Sequence, residues 1–424
     1  MRIIGYGNRK AVDDIIERSG LEFEDVKRVV EAILKDVKEN GDISLFKYTE
    51  EFDQFKLSED NIRIRDDEIK DACSRLDGRV LEALKHAHRN ISKFHSRQLE
   101  GIEREWSIEV DDEVTVGEKV FPIDSVGCYV PGGLASYPST VLMGVIPARV
   151  AGVERVVVVS PPPISDAILV ACDICGVDEV YGVGGAQAIA ALAYGTESIK
   201  KVDKIIGPGN NYVMAAKMMV FGEVGIETPA GPSELLIIAD ETSNPGFIAS
   251  DLLAQAEHDP DARAIVVTDS REIADEICEE VESQIRDLER SEILEGSLKQ
   301  SAIILTVNQK ESIDFVNEYA AEHLVVMTGH PEETLGEIRN AGALFLGDYS
   351  AVAAGDYASG ANHILPTGGA ARFSCGLGVR DFLRSASVQK ISRQGLSSLR
   401  ETIGVIAEAE GLTAHKKSVE RRFL

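Results

Sequence analysis

Positive charge is what this chain most lacks. Lys and Arg number 44 against 71 Asp and Glu, a formal net charge of −27, which argues against DNA or an anionic membrane surface as partner. No apolar run is long enough to span a bilayer. The richest stretch, STVLMGVIPARVAGVERVVVVS, is cut by Pro147, Arg149, Glu154 and Arg155, short of the roughly 18 apolar residues a span requires. The opening MRIIGYGNRKAVDDII returns to charge too soon for a secretory signal, so the expected location is cytoplasmic. Cysteine is sparse and scattered: Cys73, Cys128, Cys172, Cys175, Cys278 and Cys375 fit reduced thiols in a cytosolic protein. Cys172 and Cys175 form a CxxC with no second one to complete a zinc ribbon, and SDAILVACDICGVDEV reads as a buried helix face. No long low-complexity segment occurs.

What is present is enough for a sizeable interior. The 424 residues are 44% hydrophobic, and that length suggests two or more domains. Residues Val26, Val29, Val30, Ile33 and Val37 recur at helical spacing in EDVKRVVEAILKDVKENGD, with Gly41 as a stop. From about residue 125 short β-branched runs alternate with Ala-rich helical stretches, as in ERVVVVSPP, VDEVYGVGG with AQAIAALAYG, and VDKIIGPGN with NYVMAAKMMVFG. A second series follows in SELLIIAD, RAIVVTDS, SAIILTV, EHLVVMT and ALFLGDYS.

Alternation of this kind marks parallel sheets with crossover helices. The expected fold is α/β: two incomplete Rossmann-like units with parallel sheets, plus helical N- and C-terminal segments. The seam falls near TPAGPSE, at residues 228–234. The expected division has an N-terminal segment (1–20) and a discontinuous larger domain (21–125 and 231–375). A second α/β domain (126–230) and a polar helical tail (376–424) complete it.

Three glycine turns, YGVGGAQAIA, IIGPGNNYVM and CYVPGGLASYPS, follow expected strands. Glycine there lets backbone N–H groups approach a phosphate, with a helix N-terminus to favour its charge. None is a complete G-x-G-x-x-G and no ribose-binding acid stands at the usual distance, so these turns either serve a nucleotide or simply close tight corners.

Histidine is scarce, eight in all, and two occur as the same triplet, AEH. Gln255 and His258 lie one turn apart on an expected helix, so both project from one face as a chelate arm; Glu257 points about 100° away. Asp356 and His415 are further candidates for a metal. The alternative is a capped helix end with His258 bonded locally. Glu322 and His323 stand where a helix gives way to a strand, a position from which side chains enter a cleft. There a histidine suits proton transfer, and its neighbour could activate water or orient the ring; a surface pair is the competing reading. His86, His88 and His95 read as solvated, and His363 as a structural loop residue.

Taken in order, CYVPGGLASYPSTVLMGVIPA, GGAQAIAALAYGT, GPGN, TPAGPSELLIIAD, DLLAQAEHD, AAEHLVV, GDYASGANHILPT and AEAEGLTAHK resemble the histidinol dehydrogenase family over roughly residues 120–420. The resemblance implies one Zn²⁺ per subunit, held by positions matching Gln255, His258, Asp356 and His415. It implies substrate contacts at Ser233, His323 and Glu410 together with the metal ligands. NAD would lie at Tyr129, Gln187 and Asn210, Glu322 would activate water and His323 would move protons. The implied reaction is NAD-dependent, four-electron oxidation of L-histidinol to L-histidine through bound L-histidinaldehyde, completing histidine biosynthesis. A homodimer is implied, with exchanged C-terminal segments that carry Glu410 and His415 into the partner's site. The rivals are a related zinc and NAD polyol dehydrogenase, a zinc hydrolase, and a non-catalytic metal protein indifferent to changes at Glu322 or His323.

Overall fold

A computed structural model describes residues 1–18, 23–132, 136–229, 231–288 and 290–424. In chain order the strands are β1 (Arg2–Gly5), β2 (Glu105–Asp111), β3 (Val114–Pro122), β4 (Ser125–Tyr129), β5 (Arg155–Ser160), β6 (Glu179–Gly182) and β7 (Lys204–Ile206). They continue with β8 (Gly225–Ile226), β9 (Glu234–Ala239), β10 (Arg263–Thr268), β11 (Ala302–Leu305), β12 (His323–Met327), β13 (Ala343–Leu346) and β14 (Leu383–Ile391).

The strands that sequence shows most clearly are those buried on both faces. All six residues of β9, ELLIIA, are buried, because a parallel strand covered by helices on each side reads as an unbroken apolar run. Alternate side chains feed opposite cores: Leu235 and Ile237 face one layer, Leu236 and Ile238 the other. The strand β5 divides Val156 and Val158 from Val157 and Val159 in the same manner.

Two parallel sheets result. The five-stranded one runs β6-β5-β4-β7-β8 and the six-stranded one β1-β11-β10-β9-β12-β13. Apart from the added edge strand β1, each follows the order 3-2-1-4-5 of a mononucleotide-binding half. The two Rossmann-like units are therefore as expected.

Three expectations change. First, the N-terminal segment is no appendage: β1 pairs in parallel with β11, and Val12 and Ile15 enter the core of the six-stranded sheet. The helices after it go elsewhere. Val30, Ile33, Leu34, Val37, Leu84 and Ile91 share their cores with β4, β5 and β6, so residues 23–100 cover the five-stranded sheet rather than grouping with 231–375. Second, the tail is not wholly helical. Its first part, β14, pairs antiparallel with β3 over Leu383↔Pro122 to Ile391↔Val114, and β3 pairs with β2. Almost every residue of β14 and all of β2 are exposed, so no apolar alternation announced them. Third, His95 is not solvated. It extends the buried stripe Leu84, Ala87, Ile91 of the helix Gly78–Glu100 and has no exposed surface. Its Nδ1 lies 2.8 Å from Gln98 Oε1 and its Nε2 3.5 Å from Asn362 Nδ2.

Burial holds the His95 imidazole below its ordinary value, with the Gln98 contact opposing the shift. The unfolded chain therefore takes up a proton more readily than the folded one. Stability associated with His95 is present above about pH 6.5 and is lost as pH falls below it. A His95→Gln variant is expected to lose less stability than the parent between neutral pH and pH 5. Urea midpoints measured for both proteins across that range test this; parallel curves would contradict it.

Candidate active site

The helix Gln309–Tyr319 ends on Ala320, whose φ of 53° turns the chain left-handed into β12. That turn delivers Glu322 and His323 to the amino end of β12, each only 5% exposed. They are no surface pair. The neighbouring strand β9 binds both through one residue: Glu234 donates its N–H to Glu322 Oε2 at 2.7 Å, and its carbonyl lies 3.2 Å from His323 Nδ1. A carbonyl only accepts, so Nδ1 carries the proton. Nε2 is left as the basic nitrogen, 3.7 Å from Asp356 Oδ1.

Burial pushes His323 down to about 4, partly offset by the Glu234 carbonyl and reinforced by nearby His363 and His258. Glu322 moves the other way. Burial raises its carboxyl well above the ordinary range; the Glu234 amide opposes the rise, while the charges of Glu234 and Asp356 add to it. At neutral pH the imidazole is a neutral base beside a carboxyl with unusual proton affinity, a combination typical of acid–base sites.

The expected chelate arm is built differently from a helical pair. The helix Pro245–Ala256 stops one residue after Gln255; Glu257 caps it, and His258 lies beyond, its N–H 3.3 Å from the Gln255 carbonyl. Gln255 is buried with neither amide atom hydrogen-bonded, whereas Glu257 and His258 are exposed. The helix thus ends between Gln255 and His258, with Glu257 still right-handed at its cap and His258 one residue beyond. Asp356, on the helix Val352–Tyr357, is raised by burial and lowered by His258. Ser233 lies immediately before Glu234 and accepts the Arg263 N–H at its carbonyl, 3.0 Å away. A cleft of about 380 Å³ lined by Tyr137, Glu257, His258, Arg290 and Tyr357 opens beside this group.

Two participants escaped the sequence reading. His363 shares this environment: its Nδ1–H donates to the Asp356 carbonyl at 2.9 Å, and burial pushes it down to about 4. Its seven-residue spacing from Asp356 within GDYASGANH was the available signal. Asp251, one turn before Gln255, is buried and raised to about 6 by that burial, while accepting the Val352 N–H opposes the rise. It thus caps the short helix that presents Asp356. Glu410 and His415 are not brought in. Both are exposed on the C-terminal pair of helices, Arg393–Ala409 and Thr413–Glu420. Among the described residues of one chain, no three His, Cys, Asp or Glu stand at metal-ligating spacing.

The other three expected residues gather on the five-stranded sheet. Tyr129 ends β4, and its hydroxyl accepts the Gly185 N–H at 3.2 Å. Gln187, in the first turn of the helix Gly185–Tyr194, is 1% exposed with Oε1 unpartnered. Asn210 Oδ1 caps the helix Asn211–Val220 through the N–H groups of Tyr212 and Val213, both at 3.1 Å. These turns lie past the carboxyl ends of β4, β6 and β7, where such sheets take ligands. Gly207 has φ +109°, and a Cβ there would come within 2.0 Å of the Tyr129 carbonyl oxygen. The PGG turn falls partly outside the described residues, since 133–135 are not among them.

Two wound parallel sheets, with glycine turns at the carboxyl edge of one and a buried imidazole–carboxyl pair on the other, define an α/β enzyme. A family model described as histidinol dehydrogenase matches residues 16–423, and the chain belongs to that family. It is 50% identical over 428 residues to the histidinol dehydrogenase of Methanothermobacter thermautotrophicus, covering 100% of this chain and 99% of the relative. It is 48% identical to that of Methanocaldococcus jannaschii, covering 97% and 96%. The crystal structure of histidinol dehydrogenase from Elizabethkingia anophelis superposes with a TM-score of 0.94 at 39% identity, covering 100% of this chain and 98% of that one.

One buried ion pair holds the Gly207 turn. Lys217 Nζ bonds Glu227 Oε1 and, at 2.9 Å, the Gly207 carbonyl, while Glu227 accepts the Gly207 N–H at 2.9 Å. Lys217→Met leaves the Glu227 carboxylate buried without its cation and is expected to cost about 3–5 kcal/mol. Lys217→Met/Glu227→Gln should recover much of that loss. Denaturant unfolding of the parent, single and double variants measures both, and additive losses would contradict the assignment.

Proposed function

We propose that this protein oxidises L-histidinol to L-histidine in two successive NAD-dependent steps, with L-histidinaldehyde kept bound between them. The observation that carries this reading is the buried Glu322–His323 pair, held on the Glu234 backbone with His323 Nε2 left basic. In the first step Nε2 takes the hydroxyl proton as the C–H hydride leaves. In the second, Glu322 takes a proton from water attacking the aldehyde carbon, and its raised proton affinity suits a general base. His323, having released its first proton to water, then accepts the hydrate's hydroxyl proton as the second hydride departs. NAD, when bound, would supply the hydride acceptor for each step. Tyr129, Gln187 with its unpartnered Oε1, and Asn210 would hold it, at the strand ends where such sheets take ligands.

A divalent cation fits the neighbouring group. Both amide atoms of buried Gln255 lack a partner, and Gln255, His258 and Asp356 supply the oxygen and nitrogen donors that suit Zn²⁺. Bound there, the ion would anchor the substrate's imidazole and amine nitrogens. Ser233 would contact the substrate from the head of β9. Glu410 and His415 would come from a second copy of the chain, completing a site shared across a homodimer. Their exposure at the C-terminal helices supports this, as does the lack of three His, Cys, Asp or Glu at metal-ligating spacing among the described residues of one chain. Six unpaired cysteines support a cytoplasmic location.

With zinc supplied, two NADH and one L-histidine are expected per L-histidinol consumed. One NADH with free aldehyde would overturn the second step. Glu322→Gln should impair aldehyde oxidation far more than alcohol oxidation, and His323→Asn should slow both by about 10²–10⁴-fold.

The shared site has its own test. Mixed dimers of inactive His258→Ala and inactive His415→Ala chains should regain activity, because one of their two sites is intact. No recovery in demonstrably mixed dimers would contradict exchange.

A further inference from the structure

The main chain of Glu234 holds the acid–base pair, yet its side chain points into a different set of contacts. Arg18 Nε lies 2.9 Å from Glu234 Oε1, and the two side chains are only 8% and 4% exposed. The guanidinium sits 3.8 Å above the Tyr319 ring, and Nη2 donates to the Tyr319 carbonyl at 2.8 Å. Tyr319 closes the helix that leads through Ala320 into Glu322. Arg18 thus ties together the two backbone segments on which the pair is mounted: the head of β9 and the entry to β12.

Its backbone has φ 42°, a left-handed conformation unfavourable for a residue with a side chain. Such conformations persist where the surroundings over-determine them. Other groups around Glu234 help without substituting: the Gly368 N–H reaches Oε1 at 3.2 Å, and Arg263 acts electrostatically on the carboxylate. Without Arg18 the buried Glu234 carboxylate would face Glu322 with its paired cation gone.

We propose that Arg18 is a positioning residue for the reaction, acting through Glu234 and Tyr319 to fix the placement of Glu322 and His323. This rests on those two residues forming the acid–base pair. A planar fork over an aromatic ring is specific to arginine, so charge alone does not replace it.

The test measures kcat, KM for L-histidinol and thermal midpoint in zinc-loaded, full-length Arg18→Lys, Arg18→Met and Arg18→Met/Glu234→Gln proteins. Arg18→Met is expected to lose about ten- to a hundredfold in kcat with KM changed much less, and removing the unpaired carboxylate in the double variant should restore part of kcat. Arg18→Lys should lose kcat while keeping the parental midpoint, which settles the matter if Arg18→Met does not fold. A lowered midpoint with parental kcat in the folded variants would make Arg18 purely structural and overturn the proposal, leaving the dehydrogenase reading intact. A parent that forms no NADH from histidinol would instead overturn the dehydrogenase reading, and the positioning role with it.

Discussion

The peptide groups of Glu234 are the constraint on which this site depends. Glu234 opens β9 as the ladder partner of Arg263, and towards the adjacent strand β12 its N–H is given to the Glu322 side chain while its carbonyl faces His323 Nδ1. Sheet register decides that geometry. His323 lies opposite Leu235 in the β9–β12 ladder, and a slip of one residue would turn His323 to the other face and present Leu324 to Glu234. The buried run Leu235–Ala239 prevents that slip, since each of its side chains is committed to one of two cores. Core packing thus acts directly on the geometry of the proposed acid–base pair.

The two units use opposite ends of their sheets. Tyr129, Gln187 and Asn210 gather beyond the carboxyl ends of β4, β6 and β7, as the switch-point rule for open parallel sheets anticipates. Glu322 and His323 sit at the amino end of β12, and Gln255 at the C-terminal end of a helix running back along the sheet. Such a crossover helix runs antiparallel to its strands, so its end and the strand heads share one edge. The polarity of that edge comes from buried ionisable side chains, which oppose stability by desolvation while setting proton affinities of use to chemistry.

Legibility in the sequence followed burial and locality. The parallel strands were plain because residues such as those of ERVVVVS and ELLIIA are apolar throughout, and the motifs around Gln255, Glu322 and Asp356 stood in contiguous runs. The strands β2 and β14 were hidden because exposed antiparallel strands need no apolar alternation. His95 was misread because its charged neighbours obscured a stripe with Leu84, Ala87 and Ile91 that only the packed helix reveals. The Gln255–His258 spacing reads as helical in the sequence, whereas the helix ends at Ala256 and His258 follows its cap. Arg18 was invisible for another reason: it meets Tyr319 across 301 residues, and no local pattern encodes such a pair.

The C-terminal region joins the remaining observations. Trp106, Ile108 and Val110 on β2, Val388 and Ile391 on β14, and Val405, Ile406 and Leu412 on the helical pair are all exposed in the single chain. Apolar surface in this quantity is costly in water, and a second copy of the chain is a natural cover for it. The cluster around Asp356 has the complementary deficit: Gln255 is unpartnered, and among the described residues of one chain no three His, Cys, Asp or Glu stand at metal-ligating spacing. One association satisfies both if the helices that bring apolar surface also bring Glu410 and His415. Catalytic competence would then follow the monomer–dimer equilibrium by mass action, even though each chain already carries four buried cores of its own.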